Sequence, residues 1–357
     1  MIDVEIVGAS FAGLACAQAC AVRGLRTRVL ERKKNPGDAP HTTGLVVKEV
    51  ADAWDVPPSL ARKIRGVRLY SPGLRRLDLE SPGYYFLATD TPALLRWLAG
   101  RAADAGAEIR TGAEYRGGRD GRVLVGADGP RSLVAREHGL GLNTEFLAGV
   151  EAEFEGVRDV DPDRLHVFVD SDLAPGYIAW VVPGMGLTQV GLACRRPYRP
   201  RLDLLLDRAR RLFDFSHATQ IGVRGGLIPV GGRVFPFATP TVVLVGDAAG
   251  LVSPLTAGGI HTALDSGRRA GLAIAEHLLD GGRPLPGLLE DAYPAFTWKR
   301  WLRRAIDLRP PNAWIDAAIS SPAFRAVART VFFHHRGLFT PAAWRDLFAV
   351  SCGTISR

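Results

Sequence analysis

A short apolar run, Val4-Glu5-Ile6-Val7, passes without a break into Gly8-Ala9-Ser10-Phe11-Ala12-Gly13, and a helical pattern then runs to about Arg23, where Gly24 stops it. Thr27-Arg28-Val29-Leu30 supplies the next strand and Glu31 closes it. Strand, small-residue turn, helix and parallel strand make a βαβ unit. Its small residues have a physical reason: the turn is tight, the backbone approaches a pyrophosphate, and the helix packs closely on the strand. The helix start then offers unpaired N–H groups and a positive dipole end to phosphates. Ser10 stands where a second glycine is usual, so the turn alone is a weak signal. Glu31 restores it, ending the second strand where an acid accepts hydrogen bonds from adenosine ribose hydroxyls. The unit predicts dinucleotide binding, the bland alternative being a helix cap. Arg32, Lys33 and Lys34 follow as a solvated turn or as phosphate contacts.

The 357 residues are 47% hydrophobic, enough for a sizeable core and two lobes. A net charge of +8 and a pI near 9.6 favour an anionic partner: a phosphorylated substrate, a dinucleotide or a membrane surface. No zinc spacing, aromatic RNA-binding signature or long basic helix accompanies that charge, so nucleic acid is not expected. Cys16, Cys20, Cys194 and Cys352 are too scattered for a disulfide framework and suit a reducing compartment. Cys16 and Cys20, one helical turn apart, read as small apolar packing residues. The first residues lack a basic start and long apolar stretch, and no run of about 18 apolar residues occurs. The expectation is a cytoplasmic protein, soluble or peripheral at the cytoplasmic face of a membrane. His334-His335 is not spaced like a metal site, and no metal is assigned.

Two later segments repeat the pattern of apolar strand, small residues and acid. Val123-Leu124-Val125-Gly126-Ala127-Asp128-Gly129 puts a carboxylate at a strand's carboxyl end, where α/β sheets bind ligands; a helix cap is the plain alternative. Val242-Val243-Leu244-Val245-Gly246-Asp247-Ala248-Ala249-Gly250 is the stronger case, because small residues let backbone close on a ribitol and phosphate. Pro254-Leu255-Thr256-Ala257-Gly258-Gly259-Ile260 then opens a long helix reaching about Leu279. Its start directs N–H groups and a dipole at an electron-rich ring edge. Gly259, Ala263, Gly267 and Gly271, near helical spacing, suit tight helix–sheet packing.

Taken in order, these motifs resemble those of the aromatic-hydroxylase-like group of FAD oxidoreductases, over about residues 1–280. The resemblance implies one FAD held noncovalently by Gly8, Ser10, Phe11, Ala12, Gly13, Glu31, Arg32, Asp128, Gly246, Asp247, Pro254, Gly258, Gly259 and Ile260. It places the acid matching Glu31 on adenosine ribose, that matching Asp247 near ribitol and pyrophosphate, and Gly258-Gly259 against the isoalloxazine. Thr43 and Gly44 lie where relatives approach the flavin ring. Arg96 either replaces a flavin-contacting arginine or is an exposed helix residue.

The fold expected is α/β, with a discontinuous Rossmann-type FAD-binding domain at 1–65, 96–144 and 236–285, a β-rich substrate lobe at 66–95 and 145–235, and a C-terminal helical region at 286–357. Within the lobe, Tyr177, Trp180, Pro183, Val190 and Gly191 are similar to the mark of the geranylgeranyl reductase family. Tyr177 stands one residue early, and Val182 replaces an aromatic. That resemblance implies a pocket at Tyr177, Trp180 and Pro183 for a prenyl-lipid or other hydrophobic small molecule, and hydride transfer from reduced FAD to a carbon–carbon double bond. Ordinary sheet burial is the alternative for the same aromatics. The electron donor is NAD(P)H or a ferredoxin-type protein, and no residue is singled out as catalytic. A flavin monooxygenase and a noncatalytic lipid-binding flavoprotein are the rival functions. Trp298, Lys299, Arg300, Trp301, Arg303 and Arg304 suit either a membrane interface or a helical lid whose arginines snorkel to water.

Overall fold

The computed structural model describes residues 1–281 and 283–333; His334, His335 and Cys352 lie outside them. Five parallel strands, in the order Val242–Leu244, Gly121–Gly126, Ile2–Val7, Thr27–Glu31 and Glu108–Thr111, carry the N-terminal βαβ unit. Ile2–Val7 is central, with its sequence neighbour on one side and a much later strand on the other. Connections therefore leave in opposite directions, and a crevice opens beyond the carboxyl ends of the strands. Val7, Glu31, Gly126 and Leu244 all end at that crevice.

Helix Phe11–Val22 starts on Ser10, whose Oγ accepts from the Gly13 N–H at 3.2 Å and donates to the Ala127 carbonyl at 3.1 Å. The residue in place of the second glycine thus caps the helix and ties the turn to the neighbouring strand. Helix Ile260–Leu279 packs on this first helix: a Cβ on Gly267 would stand 2.1 Å from the Ala12 carbonyl oxygen, and one on Gly271 2.7 Å from that of Cys16. Gly267 and Gly271 therefore serve helix–helix rather than helix–sheet packing, because Ala12, Cys16 and Ala19 give the first helix an equally slim face. Cys16 and Cys20 are fully buried there.

The stretches rich in β-formers build a seven-stranded mixed sheet ordered Thr219–Pro229, Phe146–Glu155, Thr188–Arg195, Ala179–Pro183, Arg164–Phe168, Gly66–Tyr70 and Arg76–Glu80. A small sheet of Leu45–Val47, Phe86–Thr89 and Ala61–Ile64 lies between chain segments of both kinds. Trp180 pairs across the strands with Gly191, where a Cβ would come within 2.7 Å of the indole. The tryptophan-to-glycine spacing is thus a hairpin's geometry: Pro183 pairs with Thr188 at its end, and the glycine vacates the place the ring takes. Helix Pro322–Phe333 packs on strand Arg76–Glu80, Asp307 of helix Thr297–Asp307 pairs with Arg195, and Asp316 of helix Asn312–Ala318 accepts from Ser71 and Gly73. Among the described residues no helix is long and apolar enough to cross a membrane.

Candidate active site

The crevice holds a cavity of about 610 Å³ that runs from the N-terminal turn to the seven-stranded sheet. Gly8 has φ +104°, and a Cβ there would lie 2.5 Å from the Ala127 carbonyl oxygen, so only glycine suits the turn. Gly13 has the same need, 2.0 Å from the Gly8 oxygen. At the cavity's edge Glu31 is held by two backbone donors, Ala9 N–H at 2.8 Å and Lys33 N–H at 2.9 Å, one on each carboxylate oxygen. Arg32 and Lys33 both line the cavity, and the Lys33 ammonium donates to the carbonyls of Asp38 and Ala39.

Asp128 divides its carboxylate. Oδ2 accepts from the N–H groups of Leu133 and Val134 at 2.7 and 3.1 Å, which makes it a cap of helix Leu133–Glu137. Oδ1 is buried without a partner, on a residue lining the cavity. A buried acceptor left open is costly unless something donates to it. Asp247 also faces the cavity, half-buried, and burial alone pushes its carboxyl up to about 6. Its backbone is fixed by Asn143, whose amide donates to the Asp247 carbonyl at 2.9 Å. Gly258, Gly259 and Ile260 complete this wall at the start of the long helix.

The facing wall holds residues that the motifs had not pointed to. Gly149, Gly225 and Gly226 line the cavity, with Gly149 paired to Gly226, so a strip of sheet there has no side chains. A Cβ on Gly226 would meet nothing nearer than His41 at 3.6 Å. Beside the strip lies Glu151, almost wholly buried. Its Oε2 accepts from Trp180 Nε1 at 2.6 Å and Thr43 Oγ1 at 2.7 Å, and its Oε1 from Arg224 Nε at 3.0 Å. One carboxylate thereby fixes the indole, the Thr43 loop and an arginine. A glycine pair inside a strand, Gly225-Gly226, was the available sequence signal of close approach; Glu151 had none.

A second cavity of about 750 Å³ shares Leu45, Leu165, Tyr177, Ile178, Gly258 and Gly259 with the first, so the two meet at the end of the long helix. Its walls are mostly aliphatic and aromatic, and helices Thr297–Asp307 and Pro322–Phe333 form much of them. At the junction the Tyr177 hydroxyl donates to the Thr256 carbonyl at 2.5 Å, and burial raises its pKa, so it remains a neutral hydroxyl. Trp180 meets Tyr177 edge-to-face at 6.5 Å.

Of the residues expected in the site, Gly8, Ser10, Phe11, Ala12, Glu31, Arg32, Thr43, Asp128, Tyr177, Trp180, Asp247, Gly258, Gly259 and Ile260 line one or both cavities. Gly13, Gly44, Pro183, Gly246 and Pro254 line neither. Gly44, at φ +72°, is pressed against the Thr91 hydroxyl, and Gly246, at φ +56°, against the Ala12 methyl. Arg96 is exposed and lines neither cavity.

Residues 6–50 match the family model of the NAD(P)-binding Rossmann-like domain. The digeranylgeranylglycerophospholipid reductase 2 of Methanopyrus kandleri is 32% identical over 314 residues, 77% of each chain. That of Methanothermobacter thermautotrophicus is 31% identical over 78% of this chain and 79% of its own. This chain belongs to the digeranylgeranylglycerophospholipid reductase family. As a member it is an FAD-dependent oxidoreductase, the class that the resemblance of its ordered motifs implied. Among solved structures, a geranylgeranyl bacteriochlorophyll reductase-like protein of Thermoplasma acidophilum superimposes with a TM-score of 0.82 at 21% identity, over 98% of both chains. A flavin-dependent brominase reaches 0.67 at 18% identity, again over 98% of both, a likeness of fold alone. The residues present fit FAD by the open Asp128 Oδ1, the glycine turn and the bare strip at Gly149 and Gly226.

Proposed function

We propose that this reductase saturates carbon–carbon double bonds in the prenyl chains of a lipid. The observation that carries the reading is the meeting of two unlike cavities: a motif-lined crevice suited to a dinucleotide and a larger apolar chamber, joined at Tyr177 and Gly258-Gly259. An apolar chamber with few polar groups suits a long isoprenoid. The names of the curated relatives point the same way. The flavin monooxygenase alternative has fold likeness in its favour and nothing in the relatives' names.

FAD would be held by Gly8, Ser10, Glu31, Asp128 and Asp247, with its ring end toward Gly258-Gly259. When bound and reduced it would supply a hydride to one alkene carbon, while a proton reaches the other. The chain's own residues do the rest by placement. Trp180, fixed by Glu151, and Tyr177, fixed by Thr256, narrow the passage and set where an alkene stops. The helices over the apolar chamber keep water from the reacting carbons. The electrons arrive from outside, from NAD(P)H or a ferredoxin-type protein, and a cytoplasmic setting, peripheral to a membrane, suits a lipid substrate.

The test is a titration of oxidised holoenzyme with a geranylgeranyl phospholipid under nitrogen. The reading expects the flavin absorption band to shift on binding, and Ile178→Trp, which fills the junction, to abolish the shift while flavin stays bound. A shift that persists in that variant would place the lipid elsewhere.

A further inference from the structure

The helices that wall the apolar chamber have a second face. On helix Thr297–Asp307, Lys299, Leu302 and Ile306 look into the chamber, while Arg303 is buried against Asp307 and the Gly176 carbonyl. The remaining stripe, Arg300, Trp301, Arg304 and Leu308, is exposed: Trp301 by 69% and Leu308 by 80%. Arg304 stacks over Trp301 at 5.2 Å. On the following helix Trp314 is 70% exposed beside Ile315, which lines the chamber. Leu302 and Val327 line the chamber and are also 43% and 64% exposed, so its apolar wall continues out to solvent on both their helices. Between Thr297 and Phe333 the acids are Asp307 and Asp316, and both are engaged inward, by Arg303 and by Ser71 with Gly73.

We propose that this face docks on an anionic phospholipid bilayer and opens the apolar chamber directly onto it. Indole rings beside arginines suit the interfacial zone, where an apolar body and a charged tip are both satisfied. Among residues 297–333 the outward charge is basic, and the bordering acids Glu145 and Glu290 are engaged by Arg195 and Arg233, which leaves a surface complementary to anionic headgroups. Leu302 and Val327 would give a prenyl chain a continuous apolar path from the acyl region to the junction at Tyr177. A soluble acidic protein would match the arginines but leave two tryptophans and a chamber mouth unexplained. The inference rests on the prenyl-lipid reading and adds the surface through which the lipid enters.

Full-length FAD-loaded protein, wild type and the variants Trp301→Ala/Trp314→Ala and Arg300→Glu/Arg304→Glu, is floated with phosphatidylcholine vesicles with and without phosphatidylglycerol. The proposal expects binding to the anionic vesicles, loss of about tenfold or more of that binding in each double variant, and weakening by salt for wild type. Each variant also keeps its flavin and reduces geranylgeranyl lipid dispersed in detergent as wild type does, while losing activity on lipid embedded in vesicles. Equal vesicle binding by variants and wild type overturns the proposal, as does a face occupied by a second copy, seen as a dimer that does not float. Failure of all forms to reduce detergent-dispersed lipid would instead overturn the functional reading.

Discussion

Replacing Gly226 by valine separates cofactor binding from folding. Gly226 lies on strand Thr219–Pro229, at an edge of the seven-stranded sheet, and its missing Cβ would point into open cavity with only His41 at 3.6 Å. Across the ladder stands Gly149, so the added methyls meet no cross-strand side chain. A β-branched residue in a strand gains up to about 1 kcal/mol in propensity, and removal of a glycine cheapens ordering by roughly 0.5–1 kcal/mol. The flavin-stripped variant is thus expected to be as stable as wild type or slightly more so. The bound flavin, by contrast, would meet the new side chain. Overpacking costs about 1–3 kcal/mol, which raises the FAD dissociation constant by roughly 5- to 150-fold. Fluorescence titration of the stripped protein with FAD measures the second effect, and thermal unfolding without FAD the first. Wild-type FAD affinity in Gly226→Val would refute the placement of the flavin against this strip.

Asp247 gives a pH signature. Its folded-state pKa is raised from 3.8 to about 6, so folding favours the protonated form; its contribution is full at low pH and is lost as pH rises from about 4 through about 6. Relative to Asp247→Asn, stripped wild type should lose on the order of 2–3 kcal/mol across that window, and FAD affinity of the variant should fall; parallel pH curves in thermal unfolding would contradict this. At Asp128, asparagine preserves the acceptor that caps helix Leu133–Glu137 but changes the open oxygen, so Asp128→Asn should weaken flavin retention with little change in stripped-protein melting, whereas Asp128→Ala should also cost about 1 kcal/mol of stability. Gly271→Ala would press a methyl on the Cys16 carbonyl and the Ala19 methyl, and a stability loss of about 1–3 kcal/mol in denaturant unfolding is expected without direct effect on FAD affinity.

What was legible in the sequence is what backbone geometry demands locally. The turn at Gly8, the acid at Glu31 and the acid-bearing turns at Asp128 and Asp247 each sit on a strand end, and parallel pairing brings strand ends together. The glycine turn by itself did not distinguish FAD from a nicotinamide cofactor, as its match to an NAD(P)-binding model also indicates; the later turns carried that distinction. Pro183 ends a strand and lines neither cavity, and its spacing to Trp180 is that of a hairpin, which a sequence pattern does not separate from a pocket. Glu151 was invisible because its value comes from Trp180, Thr43 and Arg224 converging on it from distant segments. The basic, aromatic C-terminal helices left open a lid or a membrane face; they wall the apolar chamber and expose two tryptophans on the other side.

Hydride transfer from flavin to a prenyl double bond is tested most directly by one anaerobic turnover. Enzyme with chemically reduced FAD is mixed with geranylgeranyl phospholipid, flavin reoxidation is followed by absorbance, and the lipid is weighed by mass spectrometry. The account predicts that flavin reoxidises without oxygen and that each double bond consumed adds two hydrogens to the lipid. Reduced flavin that persists until air is admitted, with an oxygen atom then found in the lipid, would contradict it.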